Sequence, residues 1–389
     1  MKKWKQALSL GITGVMLSAA PMSVLAASPE FARTPEEWDR LRDNIMEYEE
    51  LEGLIAEYNT TVQTNQLDLN KFRQDYGDTR DDISQKYRDM ADEIYSNIQY
   101  PDPDDPTYGY VVASMLSAEI QAKNMEKQAD NNLEDSFIIG LNYEQAEKTL
   151  VTVAQTNMVT LEKSQLALKQ AELAKSQAET ELASIETKAS IGMATQVDVL
   201  NAKEALLTAS RNVESARTQI ENVRQKLLVM TGWAYDASPE IRQVPSSDVS
   251  RIDGMNPVAD REKALEDNYA LRVNKKKLEN AQSQNTKESL RKTIADQEQK
   301  IASALVTNYQ NVLAAKLAYD QAAADLELAR RDMTNVELQF QQGKISQNQL
   351  TNQQYTLQGK EMAMKTADLN LFQTMETYDW SVKGLASAS

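Results

Sequence analysis

The stretch 189-ASIGMATQVDVLNA-202 returns in altered form as 340-FQQGKISQNQLTNQ-353. Aligned on their glycines, both read Gly-x-x-Ser/Thr-Gln, then two residues, then an apolar one. Gly192 pairs with Gly343, Thr195 with Ser346, Gln196 with Gln347, and Val199 with Leu350. Each copy carries a complete set of turn chemistry. Glycine can take the left-handed conformation that ends a helix. Thr195 then caps the next helix, and Asp198 three residues on is its box partner. Ser346 and Gln349 repeat that arrangement after Gly343. Both stretches are predicted to be tight turns of antiparallel helical hairpins.

Turn chemistry does not account for the residues on the far side of each copy. After the first, Val199, Leu206, Val213, Ile220 and Leu227 recur every seventh residue, with Ala202, Ala209, Ala216, Val223 and Met230 as a companion seam. After the second, Leu350, Leu357, Met364, Leu371 and Tyr378 keep the same spacing at a constant offset. Leu305, Val312, Tyr319, Leu326, Met333 and Phe340 lead into the second turn, beside Ala315, Ala322, Ala329 and Val336. Sustained apolar sevenfold spacing is the signature of coiled-coil helices. Its recurrence around two copies of one turn marks an internal duplication.

The helix breakers set the lengths. No proline lies between Pro106 and Pro239, and none follows Pro257. Such spacing favours very long helices. The first is expected from the Thr34-Pro35-Glu36-Glu37 capping box to about Asn97, stopping at YPDPDDPTYG. The next starts near Val111, breaks at Gly140 and Asn142, and runs on to Ser190. A helix from Thr195 to about Met230 follows, then an irregular stretch with Gly232, Pro239, Pro245 and Pro257. A helix over 259–284 is expected to reverse at an Asn285/Glu288 box, and a long helix returns to Gln341. The 195–230 and 259–284 helices together match the falling helix in length. The fold class is all-α: very long antiparallel coiled-coil hairpins in two internal repeats. The expected division is 1–26 leader, 27–232 first repeat, 233–258 irregular connector and 259–389 second repeat.

Composition narrows the function. Lys2, Lys3 and Lys5 precede an apolar run from Ala7 to about Ala20, and Val24-Leu25-Ala26 offers a cleavage site, the pattern of a secretory signal peptide. The formal net charge of −16 is unfavourable for nucleic acid or an anionic membrane surface as partner. There is no cysteine, so no disulfide framework and no lipid-bearing cysteine after the leader. There is also no histidine, which removes Ser-His-Asp and Cys-His catalysis and most zinc chemistry. No glycine-rich phosphate loop occurs. The reading is of a non-enzyme without cofactor or metal. Past the leader no apolar run approaches 18 residues, so no membrane-spanning helix is expected.

The turns, the duplication and the hairpin lengths resemble the TolC-like outer membrane efflux protein family over essentially the whole chain after the leader. The resemblance is carried by 190-SIGMATQVDVLNAKEALLTASRNVESA-216 and by QQGKISQNQLTNQQYTLQG after it. ALEDNYAL at 264–271 is similar to the family's repeat-opening Asn-Pro helix start, with Tyr269 in place of proline, and LRDNIMEYEEL at 41–51 is a fainter version. The resemblance implies a homotrimer whose hairpins close into a hollow α-barrel. It implies a membrane-fusion adaptor at the hairpin tips and an ABC-type or other inner-membrane pump as partners. Gly192, Met193, Ala194, Thr195, Asp198, Gly343, Lys344, Ile345, Ser346 and Gln349 would then lie at the adaptor-facing end. Two departures stand out. The family inserts a strand pair between the long helices of each repeat. Here QYPDPDDPTYGYVV and the few residues around SQNTKES are too short for two membrane-crossing strands of about 9–11 residues each. No transmembrane β-barrel is therefore expected, and the chain is placed in the cell envelope outside the cytoplasm. At the second tip, Gln349 and Asn352 stand where the best-known members carry aspartates, and Ile345 replaces an arginine. The function implied is the duct component of an efflux or export system. The alternative is an exported coiled-coil spacer or adhesion protein of the envelope.

Overall fold

The computed structural model describes residues 32–388, and the expected leader lies outside them. Eleven α-helices make up most of the described chain: α1 (Pro35–Arg42), α2 (Leu51–Tyr58), α3 (Thr60–Tyr76), α4 (Arg80–Ser96), α5 (Tyr108–Asn131), α6 (Ser136–Ser190), α7 (Gln196–Met230), α8 (Arg261–Asp267), α9 (Tyr269–Asn280), α10 (Gln284–Gln341) and α11 (Gln347–Trp380). The one sheet among the described residues is a two-residue parallel pairing of β1 (Ile45–Met46) with β2 (Glu240–Ile241). The all-α, long-hairpin reading therefore holds.

Two hairpins dominate, α6 with α7 and α10 with α11, and α6 packs antiparallel against α11. The result is a layer in the order α7–α6–α11–α10. Its seams are the sevenfold stripes: Val199, Ala202, Ala209, Val213, Val223 and Leu227 are buried on α7, and Leu305, Val312, Leu326 and Met333 on α10. The register across the middle of the layer is fixed by polar pairs. Lys163 Nζ donates to Gln373 Oε1 at 2.7 Å, Trp380 Nε1 to Gln155 Oε1 at 2.7 Å, and the Ser176 and Tyr355 hydroxyls lie 3.1 Å apart. These pairs put the 190–196 and 341–347 turns at the same height at one end.

At the other end the structure corrects the sequence reading. The helix expected over 34–97 is four helices and a short strand. Its two ends are as expected: Thr34 makes a full capping box with Glu37, with Pro35 at the first helical position, and α4 stops with Asn97 as its C-cap. The expected break at Gly140 and Asn142 falls at 132–135 instead. Asp135 caps α6 by accepting from Ile138 N at 2.9 Å, and Gly140 lies inside the helix. A lone glycine costs a helix of this length only about 1 kcal/mol, which its packing absorbs. The reversal placed at Asn285 occurs at 281–283, with Ser283 as cap of α10. Asn274 Nδ2 donates to Gln297 Oε1 at 2.9 Å, so α9 does lie back along α10.

The helices also stack in a different order from the one expected from their lengths. α9 stands on the end of α11, and α3 stands on the end of α7. A buried asparagine locks each joint. Asn268 Oδ1 accepts from Leu271 N at 3.1 Å, capping α9, while its amide donates to Gly384 O at 3.2 Å and Ala386 O at 2.9 Å. Asn59 Oδ1 caps α3 from Thr61 N and Val62 N, and its amide donates to Met230 O at 2.8 Å. A glycine with positive φ completes each joint: Gly384 at 102° and Gly232 at 83°. The counterpart of ALEDNYAL is thus the stretch around Asn59, not LRDNIMEYEEL, which forms β1 and a short 3-10 turn. Asn44 only accepts Glu240 N through its backbone.

The 233–258 stretch is a strap bound across the layer at mid-height. Glu162 on α6 accepts from Val244 N at 2.9 Å, and Asp368 on α11 accepts from Ser247 N at 3.0 Å. Arg251 pairs with Glu376 at 2.8 Å and with Asp379 at 2.6 Å. Beneath it, Trp38, Tyr48, Leu51, Ile55, Met158, Leu227 and Phe372 share one buried cluster. The 80–131 segment is a separate helical hairpin, α4 with α5, rooted where α3 meets α6. Ser136 N and Oγ donate to Asp78 at 3.1 and 2.9 Å there. It projects from the end opposite the 190–196 and 341–347 turns.

Candidate functional site

The two turns have the same backbone. At the first, Gly192 takes φ 77°, Met193 N donates to Lys188 O at 2.8 Å, and Gly192 N donates to Ala189 O at 3.1 Å. At the second, Gly343 takes φ 69°, Lys344 N donates to Gln339 O at 2.9 Å, and Gly343 N donates to Phe340 O at 2.9 Å. This double bond pattern around a left-handed glycine satisfies carbonyls that the ending helix would leave bare. A Cβ built on either glycine meets nothing within 4 Å, so glycine is required there for its backbone alone.

The caps after the turns also match. Asp198 N donates to Thr195 Oγ1 at 3.2 Å, and Thr195 N donates to Asp198 Oδ2 at 2.8 Å. Gln349 N donates to Ser346 Oγ at 3.3 Å, and Ser346 N donates to Gln349 Oε1 at 2.8 Å. In the first cap the backbone N–H of Thr195, then its hydroxyl, holds the Asp198 carboxyl below the usual aspartate range. The second cap uses an amide and has no such titration.

The backbones agree but the surfaces do not. Around the first turn Ile191, Met193, Val197 and Leu200 are exposed, Met193 at 73%. Around the second, the exposed side chains are Gln341, Gln342, Lys344, Ser346, Gln347, Asn348 and Gln349, while Ile345 is half-buried. Ala194 is half-buried beside Met193. The two turns are therefore level neighbours, the first presenting apolar side chains beside the exposed Thr195 and Asp198, the second polar and cationic. The sequence had marked both turns, and the contrast was legible in it once Ile191, Val197 and Leu200 are read as outward-facing.

A second feature lies along the two free edges of the layer. Leu200 and Leu207 on α7, and Leu328 and Leu338 on α10, are more than half exposed. Because the two turns are level, Leu200 and Leu338 stand at similar heights above them, as do Leu207 and Leu328. Leu313 and Leu317 continue the α10 edge. Leu228, a leucine of the same helix as Leu200 and Leu207, is by contrast fully buried in the mid-height cluster.

At mid-height a cleft of about 620 Å³ opens between α6, α10 and α11, lined by Thr152, Gln155, Ser303, Asn308, Gln373 and Thr377 among others. Among the described residues no group of His, Cys, Asp and Glu is arranged to hold a metal ion. No helix among them is long and apolar enough to cross a membrane.

Fold and site define a class: a layered pair of long helical hairpins with level capped turns at one end and a strap across the middle. No protein-family model and no curated protein matches the sequence. Solved structures similar to it include the outer-membrane channel OprN, at 12% identity and TM-score 0.47, covering 89% of this chain and 92% of that one. The CmeC outer membrane channel of Campylobacter jejuni is 11% identical with TM-score 0.46, covering 97% and 95%. CusC, described for its transmembrane channel formation, is 9% identical with TM-score 0.48, covering 87% and 92%.

Proposed function

We propose that this protein is the duct component of an export system in the cell envelope, three copies closing into a helical tube. The observation that supports it most is the pair of free edges. A layer whose α7 and α10 edges both expose leucines at matching heights is left with two unsatisfied apolar seams as a single chain. A ring in which α7 of one copy meets α10 of the next covers both, and no edge remains. Each seam repeats the antiparallel packing that α6 and α7 already make within the chain.

In this reading the ten tip residues form the end that meets a membrane-fusion adaptor. The apolar turn around Met193 and Val197 is the docking patch, and the polar turn around Lys344 and Gln349 lines the aperture. An inner-membrane pump, ABC-type or other, supplies the cargo and the energy, and the duct performs no chemistry. The two repeats, 27–232 and 259–389 with the 233–258 strap between them, then contribute one hairpin each to every third of the wall.

Light scattering on the purified protein, followed by electron microscopy, tests the proposal. A trimer seen as a hollow tube, its helical wall about 87 Å long from the 58 residues of α10, supports it. A stable monomer at micromolar concentration overturns self-closure, and a solid trimeric rod assigns the protein to the spacer class.

A further inference from the structure

The α4–α5 hairpin has no role in the tube wall, and its surface is divided in an unusual way. Inside the hairpin, α5 packs on α4 through Met115, Ala118, Ala122, Met125 and Ala129, of which Ala122 and Ala129 are fully buried. They face Ile83, Ser84 and Ala91 of α4, likewise buried. That seam advances by alternating three and four residues, as one coiled-coil face does. A second set on α5 keeps the same alternation: Tyr110, Ala113, Ser117, Ile120 and Asn124. It is displaced from the first by two residues, about 200° around the helix. It therefore runs along the back of the hairpin, where nothing among the described residues covers it. Tyr110 is 83% exposed, and Ile120 and its flanking Leu116 are just over half exposed.

The back of α4 has the opposite character. Asp82, Gln85, Lys86, Asp89, Asp92 and Glu93 are all exposed there, four acids to one lysine, so the edge is net acidic. The loop joining the helices adds Asp102, Asp104 and Asp105. The hairpin is thus a ribbon with one apolar edge and one acidic edge, ending in an acidic loop. An apolar edge placed against a neighbour's acidic edge would bury carboxylates without partners, which is costly. An anionic bilayer would be repelled by the loop and by the acidic edge. An identical apolar edge is the neighbour that fits both halves of the ribbon.

We infer that the α5 helices of three copies meet along their back edges as a parallel three-helix bundle, crowning the tube at the end away from its tips. This rests on the three-copy reading above. A threefold axis through the tube brings the same edge of every hairpin to the centre and turns every acidic α4 edge outward to water. Ala113 and Ser117 keep the axis narrow enough for close approach. Asn124, at a seam position of the same stripe, is the kind of buried polar residue that fixes register in such bundles. The crown would stand at an end of the tube where no strand lies among the described residues.

The absence of any native cysteine gives a direct test. Ser117→Cys lies on the inferred axis, and Gln85→Cys lies on the acidic edge at a similar exposed position. Both are oxidised with copper phenanthroline in the full-length protein, and the unoxidised samples are sized by light scattering. The expected result is covalent dimer at position 117 in at least about tenfold excess over position 85. It should be abolished in Ser117→Cys carrying Leu116→Glu and Ile120→Glu, with helicity unchanged by circular dichroism. A trimer without cross-linking at position 117 overturns the crown and leaves the duct reading in place; a monomer without cross-linking overturns both. Equal cross-linking at the two positions also overturns the crown. So does a blue shift of a bimane label on the Ser117→Cys variant with phosphatidylcholine vesicles and none without them, which would give the edge to a bilayer.

Discussion

Replacing the turn glycines by alanine separates two reasons for glycine that the sequence cannot tell apart. Gly192, Gly343 and Gly384 all have positive φ, at 77°, 69° and 102°. A Cβ at Gly192 or Gly343 would point into open space, whereas at Gly384 it would lie 2.3 Å from Asp267 O and 2.9 Å from Asp267 C. For the turns the cost is conformational only. The left-handed region costs an alanine about 1–2 kcal/mol, and a stiffer unfolded chain returns about 0.4–1 kcal/mol. The net loss is about 1 kcal/mol, or about fivefold in a local opening equilibrium. Gly384→Ala adds a clash with backbone held by Asn268, whose amide bonds Gly384 O and Ala386 O. That joint cannot relax without losing both bonds, so the expected loss is about 3–5 kcal/mol. Urea unfolding at fixed protein concentration gives the global values, and hydrogen exchange at Met193 and Val199 gives the local one. Asparagine, which tolerates the left-handed region, should be milder than alanine at position 192 and as damaging as alanine at position 384. If Gly192→Ala costs as much as Gly384→Ala, the turn is packed and not open. If it costs nothing, Gly192 does not hold a left-handed conformation.

Acid should loosen one tip and spare the other. The folded pKa of Asp198 is depressed, so its cap is at full strength above the ordinary aspartate range and is lost as pH falls through the lowered value. The check is amide exchange at Asp198 and Val199 against Gln349 and Leu350, corrected for intrinsic rates, at pH 7 and below 3; Asp198→Asn should remove the difference. The joint asparagines should be costly: Asn59→Ala and Asn268→Ala each strip a helix cap and leave buried carbonyls unpaired, about 2–4 kcal/mol by urea unfolding. Edge charges should open the ring: Leu200→Glu or Leu338→Glu removes a contact worth about 1.5–3 kcal/mol at each of three seams. Light scattering should then find monomers, while circular dichroism is unchanged. Retention of the trimer by both variants would place the seam elsewhere.

The sequence by itself determined the two tip turns and the apolar seams, which depend on neighbours along the chain. Glycine followed three residues later by Thr195 or Ser346 fixes a stop and a start, because the groups that satisfy a helix end lie within one turn of it. The sevenfold stripes on α7 and α10 fix which faces are buried, since a helix presents the same side every two turns. Tertiary structure alone decided what depends on contact between distant segments. Gly140 looks like a breaker, but the packing of α6 carries the helix through it. Leu228 and Leu200 are the same residue type on one helix. Only the strap and the mid-height cluster make the first a core residue, while the second is left at a free edge. The partners of Asn59 and Asn268, far along the chain, decide that α3 continues α7 and α9 continues α11. Helix lengths are blind to this choice, because two columns of similar length can be stacked in either order. The bonds that select the order are made by single side chains whose donors and acceptors no local pattern records.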